Sequence, residues 1–353
     1  MKVLVVESGA AWGTAEVEAG LCAGLVAHGV DVVRYRLDVR LARARRYLLG
    51  EWRFDGKPTG KEPTTGDLIY HASTEALIKA LREQVDAVIV VAAIFFSPDV
   101  IILMRRAGLA VTLVLTESPY DMGRELEYAG YASGCWTSER SVVPQLRAVA
   151  PHAGYLPHGW HPTVHRPESQ PDDAALPAHD VVVIGTGFAD RIKWLEAIDW
   201  TGIDLGIYGH WDLPRRSKLR PFLRDGTTAN TTAAGLYRRA RLGLNLYRQR
   251  SSLKDEGPYL TGESLNPRAY EMAACGLPHV STPRAEVAEI FGDLVPTATT
   301  PEDGAAAIRA ALAESAAARQ LRRMALIETV AEASWITRAT TVLADLRGLV
   351  SAA

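Results

Sequence analysis

Short runs of β-branched and aliphatic residues recur along this chain, and helix-like segments fill the intervals between them. In the first half they read "KVLVV", "DVVRY", "DAVIVV", "AVTLVL" and "GYLP"; in the second, "DVVVIG", "DLGIYG", "LGLNLY" and "PHVST". Most of these runs are apolar throughout rather than alternating. A strand that is apolar on both sides needs cover on both faces of its sheet. The intervening segments, such as "TAEVEAGLCAGLVAHG" ending at Gly29, carry spaced Ala and Leu as a packed helix would. Strand and helix in strict alternation predict an α/β protein with doubly wound parallel sheets.

A single core seldom grows past roughly 250–300 residues, and this chain has 353. The break falls at "HGWHPTVHRPESQPDDAALPAHD", His158 to Asp180, where four prolines interrupt any apolar period. The expectation is therefore two Rossmann-like domains facing across a cleft. We place the first at 1–160, a linker at 161–179, the second at 180–332 and a final helix at 333–353. A net charge of −2 supplies no general pull toward nucleic acid. Three scattered cysteines, Cys22, Cys135 and Cys275, read as reduced thiols rather than a disulfide or zinc framework. The longest apolar run, "AVIVVAAIFF", is about half the ~20 residues of a membrane span, and the first residues lack a signal-peptide core. A cytoplasmic protein without a transmembrane segment is expected.

Two local clusters have a plain reading beside a functional one. Seven arginines lie between Arg34 and Arg53, suited to an anionic acceptor or membrane surface, or simply to a solvated helix face. His158, His161 and His165 lie close together, but Pro162 breaks any helix that would aim them at one metal ion. No metal site is expected.

The stretch "ESLNPRAYEMAACGLP", Glu263 to Pro278, is the most informative. Asn266 is a favoured N-cap, and Pro267 suits the first helical position. Gly276 and Pro278 then stop the helix. Glu271 falls in its second turn, Glu263 in the loop before it and Arg268 in its first turn. A helix N-terminus with an adjacent cation suits a phosphate. Two carboxylates nearby would repel that phosphate unless they face flanking hydroxyl groups, as on a nucleotide-sugar. Spacing alone leaves open whether Glu263 and Glu271 are ligands or ordinary surface acids.

At this point the chain resembles a known family. "DVVVIGTGFADRIKWLEAI", "LGIYGHW", "GLYRRARLGLNLY" and "LNPRAYEMAACGLPHVSTPRAEVAEIFG" resemble, in order, segments of GT-B-fold nucleotide-sugar glycosyltransferases. The closest likeness is to the CgeB-type, spore-maturation-like branch. "ESPYD" and "GCWTSERSVVPQL" add fainter likeness in the first half. The paired glutamates also match the donor motif of retaining GT-B families. The resemblance implies a transferase that moves a sugar from a nucleotide-diphosphate sugar, UDP-linked by preference, to an unidentified acceptor, with retention. Glu263 would then hold the sugar hydroxyls and Glu271 the ribose hydroxyls, and Arg191 would hold the diphosphate. Gly185, Gly187 and Asn266 would belong to the same donor site.

The chain contains no Asp-x-Asp, so no metal cofactor is expected. Charge on the leaving diphosphate would be met by Arg191 and Arg268, with Lys193 and Lys254 in reserve. Tyr208 and Trp211 are candidates to flank the base, or else core residues. The acceptor would lie near Trp12 and Gly13 and near Glu117 and Asp121, at strand ends of the first domain. An inverting enzyme would take its base from Glu117 or Asp121. Two alternatives remain: a GT-B-fold nucleotide-sugar epimerase, and a non-catalytic sugar-nucleotide-binding or structural protein.

Overall fold

The computed structural model describes all residues except 9–13, 55, 56, 59, 61, 225, 227, 252, 254–256 and 353. The chain forms two compact units. Unit 1 comprises Met1–Pro157 together with Trp335–Ala353, and unit 2 is His158–Ser334.

In unit 1 the strands β1 (Lys2–Glu7) and β2 (Asp31–Arg36) are joined by helix α1 (Ala15–Ala27). Helix α2 (Leu37–Trp52), the small hairpin β3 (Arg53–Phe54) and β4 (Lys57–Pro58), and helix α3 (Thr65–Glu83) lead to β5 (Ala87–Val91). Then come α4 (Pro98–Arg106), β6 (Ala110–Leu115), α5 (Met122–Tyr131), β7 (Gly134–Thr137), α6 (Val143–Arg147) and β8 (Ala153–Tyr155). The six-stranded sheet is parallel, in the order β2-β1-β5-β6-β7-β8. Its apolar runs are buried on both sides. In β1, Leu4 and Val6 join one core, while Val3 and Val5 join another with Val17, Leu21 and Leu25 of α1. A last helix, α12 (Trp335–Ala352), completes that second core with Trp335, Ala339, Val342 and Leu346. Helices α1 and α12 meet closely because Gly20 and Gly24 carry no side chain. A Cβ at Gly20 would lie 2.0 Å from the Trp335 ring, and one at Gly24 would lie 2.2 Å from the Trp335 carbonyl oxygen.

Unit 2 is built from β9 (Val181–Ile184), α7 (Ala189–Glu196), β10 (Leu205–Tyr208), α8 (Asn230–Arg239), β11 (Leu242–Asn245), α9 (Pro267–Ala274) and β12 (His279–Ser281). Helices α10 (Pro301–Ala313) and α11 (Ala316–Thr329) follow. The four strands are parallel in the order β10-β9-β11-β12. Val181 and Val183 face a core with Leu195 and Ile308, and Val182 faces Ala234 and Leu236 on the other side.

The segment from His158 to Asp180, which has no apolar period, is fixed to unit 2 by polar contacts. Asp173 accepts from Arg238 of α8 at 2.6 and 2.8 Å, both side chains being buried, and Arg238 also donates to the Val164 carbonyl. Within unit 2, the Trp160 N–H donates to the Ala333 carbonyl, and Trp160 bridges to Ser334.

Candidate functional site

The strand order of unit 2 reverses at β9, which leads out to β10 on one side while β11 and β12 lie on the other. Such a reversal opens a crevice above the carboxyl ends of the two diverging strands. Here it is a small open hollow, lined at the strand ends by Ile184, Gly185 and Asn245, and around them by Arg191, Trp211 and Arg268.

Two glycines let its walls close. Gly209 has φ 105°, and a Cβ there would meet the Gly185 carbonyl oxygen at 2.1 Å. A Cβ at Gly187 would lie 2.6 Å from the Trp211 ring. The Trp211 indole donates to the Tyr208 carbonyl at 2.9 Å.

The floor of the hollow carries two guanidinium groups from different helices. Arg191 stands in the first turn of α7, 8% exposed, and donates to the Thr186 carbonyl at 2.9 Å. Arg268 stands in the first turn of α9 and lies over Gly185, its guanidinium about 3.2 Å from where a Cβ would be. Among the described residues no carboxylate pairs with Arg268. A cation left unneutralised at a helix N-terminus is suited to an anionic ligand.

Helix α9 begins as its sequence dictates. The Asn266 side chain accepts from the Ala269 N–H at 3.1 Å, Pro267 follows at the first position, and Gly276 ends the helix at φ 70°. Asn266 also exchanges two hydrogen bonds with Asn245, at 3.2 and 2.8 Å, tying the N-terminus of α9 to the end of β11. Asn245, 1% exposed, escaped the sequence reading. Its signal was a polar residue closing the apolar run "LGLN", which burial obliges to find a partner.

The two glutamates lie in different settings. Glu271 is 4% exposed within α9 and does not line the hollow. It neighbours Cys275, whose thiol is pushed up to about 12 chiefly by burial, with the Glu271 charge adding to the shift. Glu263 is exposed in the loop before α9. That loop is held by a residue the sequence did not mark, Glu286, which is 5% exposed. Its carboxylate accepts from the Leu265 N–H at 2.9 Å, and its own N–H donates to the Glu263 carbonyl at 3.0 Å.

Of the remaining expected residues, Lys193 is exposed on α7. Tyr208 is buried on the sheet face opposite Trp211, and its hydroxyl meets His179 Nε2 at 2.8 Å. Trp12, Gly13 and Lys254 lie outside the described residues. Ser8 and Thr14, which flank the first of these gaps, are both bound by Glu18 Oε1, at 2.5 and 3.3 Å. His165 Nδ1 accepts from the His161 N–H, and burial lowers its pKa to about 3. Among the described residues no group of three His, Cys, Asp or Glu is set to hold a metal ion.

Glu117 and Asp121 line a second small hollow, wholly within unit 1 at the carboxyl ends of β5 and β6. Beside them is Glu125 of α5, 6% exposed, which sequence reasoning missed. Its carboxylate accepts from the Glu117 N–H at 2.8 Å and from the Ser118 hydroxyl. Burial pushes its pKa up to about 7 against those two bonds, and the Glu117 and Asp121 charges add to the rise. Ala92, at the rim, holds the left-handed conformation at φ 47°.

Comparison with known proteins agrees with this architecture. A family model described as "glycosyl transferase-like" matches residues 191–344. No curated protein sequence matches the chain. Among solved structures, Anabaena HepE in complex with UDP-glucose is 12% identical, with a TM-score of 0.63 over 99% of this chain and 100% of that one. An E. coli trehalose-6-phosphate protein bound with UDP-2-fluoro glucose is also 12% identical, with a TM-score of 0.62 over 98% and 99%. A putative UDP-N-acetylglucosamine 2-epimerase from Listeria monocytogenes is 14% identical, with a TM-score of 0.59 over 100% and 97%. At these identities the likeness speaks for the fold: two Rossmann-like sheets and a C-terminal helix in the GT-B architecture.

Proposed function

We propose that this protein is a glycosyltransferase of the CgeB-type branch that moves a sugar from a UDP-sugar to an acceptor, with retention and without a metal ion. The observation that carries the reading is the pair Arg191 and Arg268, brought from two helices to one hollow at the strand-order reversal of unit 2. In this reading the diphosphate lies over Gly185 between the two guanidinium groups and the N-terminus of α9. As the bond from the anomeric carbon to phosphate breaks, negative charge grows on the leaving diphosphate, and both arginines stabilise it without reorganising. The absence of a side chain at Gly185 leaves room for the Arg268 guanidinium to lie against the end of β9. Asn245 and Asn266 fix the position of the α9 terminus, and Glu286 fixes the backbone that carries Glu263.

The first test is binding. A saturating UDP-sugar at 100 times its dissociation constant raises stability by about 2.7 kcal/mol, readable as a thermal shift. Charge-assisted hydrogen bonds contribute roughly 1.5–3 kcal/mol, so Arg268→Ala should weaken UDP binding at least about tenfold. Calorimetry in chelator checks both points. Unchanged UDP affinity in Arg268→Ala, or binding that needs a divalent metal, would overturn the assignment of the hollow.

The glutamates divide binding from catalysis. If Glu271, which lies outside the hollow, accepts from the ribose hydroxyls beyond the diphosphate, Glu271→Gln should weaken UDP and UDP-sugar alike. Glu263→Ala should bind UDP normally yet transfer sugar slowly at saturating donor, because its contact tightens where positive charge develops on the sugar. Identical profiles for the two variants would defeat this division.

The likeness to the Listeria epimerase favours one second reading, in which the same nucleotide site serves an epimerase. Donor consumed in the absence of any acceptor, with its epimer as product, would select it.

A further inference from the structure

The seven arginines of residues 34–53 stand against two acids there, Asp38 and Glu51, in a chain whose net charge is −2. Some are neutralised within the fold. Arg34 pairs with Glu7, Arg36 pairs with Asp38 at 2.7 Å, and Arg40 lies 3.6 Å from Glu75. Arg43, Arg45 and Arg46 are exposed on α2, and among the described residues none of them meets an acid. Arg53, at the end of α2, lies over the Trp52 ring at 4.9 Å.

Helical spacing sorts these groups. Leu37, Leu41, Ala44 and Leu48 are spaced to face the core, and Leu37 and Ala44 are 1% and 2% exposed. The opposite face therefore carries Val39, Arg43 and Arg46, with Tyr47 at its edge. Val39 is 40% and Tyr47 55% exposed. Helix α3 continues this surface: Tyr47 stacks beside His71 with ring centroids 5.4 Å apart, and Glu75 holds Arg40. One further turn along the same stripe of α3 is Ile78, 44% exposed, and Tyr70 adjoins His71 at 47%.

A solvated face would mix the signs of its charges and bury its large apolar groups. This one leaves unpaired arginines among exposed aliphatic and aromatic side chains. Phosphates alone would call for the arginines, but not for Val39, Tyr47 and Ile78. A bilayer interface takes both: basic side chains reach anionic headgroups, and the apolar ones enter the boundary beneath. No described helix is long and apolar enough to cross a membrane, so the contact is lateral.

We propose that the outer face of α2, extended by α3, docks unit 1 onto an anionic lipid surface. The test is co-sedimentation of the full chain with phosphatidylcholine vesicles with and without phosphatidylglycerol. Binding is expected only with the anionic lipid, and it should weaken with added salt. Each arginine at an anionic surface is worth about fivefold in partition, so Arg43→Gln with Arg46→Gln should lose roughly 25-fold. Tyr47→Ser should weaken binding to vesicles but not to duplex DNA. Arg215→Gln with Arg216→Gln, exposed in unit 2, serves as the control and should bind as wild type. All of these side chains are exposed, and melting curves check that each variant folds. Absent binding to anionic vesicles overturns the proposal. So does equal loss in the control, or duplex DNA held as tightly as vesicles with no effect of Tyr47→Ser, which would mark a polyanion surface instead.

Discussion

Trp335→Ala should destabilise unit 1 by about 3–5 kcal/mol, the range for deleting a large aromatic side chain from a core. Trp335 is 2% exposed and lies against α1 at Gly20, in the core that also holds Val3, Val5 and Ile89. The cost within that range depends on how far α1 and the sheet can close on the space the indole leaves. Gly24→Ala approaches the same contact from the other side, because its new methyl would meet main chain rather than a movable side chain. Two units need not unfold together, so a single melting temperature is an ambiguous readout. Hydrogen exchange resolved by peptide separates them. Protection should fall in β1, α1 and α12 and persist in β9 and β11. Equal loss in both units, or a change below about 1 kcal/mol, would show that α12 is a dispensable cover.

Glu125 should make unit 1 less stable as pH rises through neutrality. Burial lifts its carboxyl to a pKa of about 7 in the fold, against an ordinary glutamate value of 4.5. The folded state therefore holds the proton more tightly, so this contribution is full below the unfolded value and is lost as pH climbs through the folded one. At 1.36 kcal/mol per unit the whole span amounts to about 3 kcal/mol. The charges facing it are Glu117, Asp121 and Arg124, with Tyr128 and Cys135 also nearby. Glu125→Gln keeps the shape and removes the titration, and the Ser118 hydroxyl can turn to accept from the new amide. Chemical denaturation from about pH 5 to 8 should show a declining wild-type curve and a flatter variant, the variant being the more stable at the alkaline end by about 2 kcal/mol. Parallel curves would place the proton elsewhere.

The sheets were legible because their strands are apolar on both faces, a pattern that only a covered parallel sheet requires. "GCWT" was not read as a strand, being short and opening on Gly, yet it forms β7. The start of α9 was legible because an N-cap and its proline act within four residues. Whatever depends on distant partners was hidden. Asn245 and Asn266 are 21 residues apart and meet only once β11 and α9 pack. Glu125 looks like an ordinary helix acid until α5 folds it beneath the turn at Glu117. Asp173 in a proline-rich stretch gives no hint that Arg238 will bury with it. The hollow itself follows from strand order, which no local signal encodes.

The return of the last helix to the first sheet has a consequence for how the protein is made. A ribosome releases residues in order, so β1 to β8 emerge long before Trp335. Until α12 arrives, the face of the first sheet beside α1 lacks part of its cover, leaving Gly20, Gly24 and the valines around them against water. Unit 2, whose residues run without interruption from His158 to Ser334, can finish first although it is synthesised second. A released chain that stops at Ser334 should accordingly be a protease target in its first unit and resistant in its second.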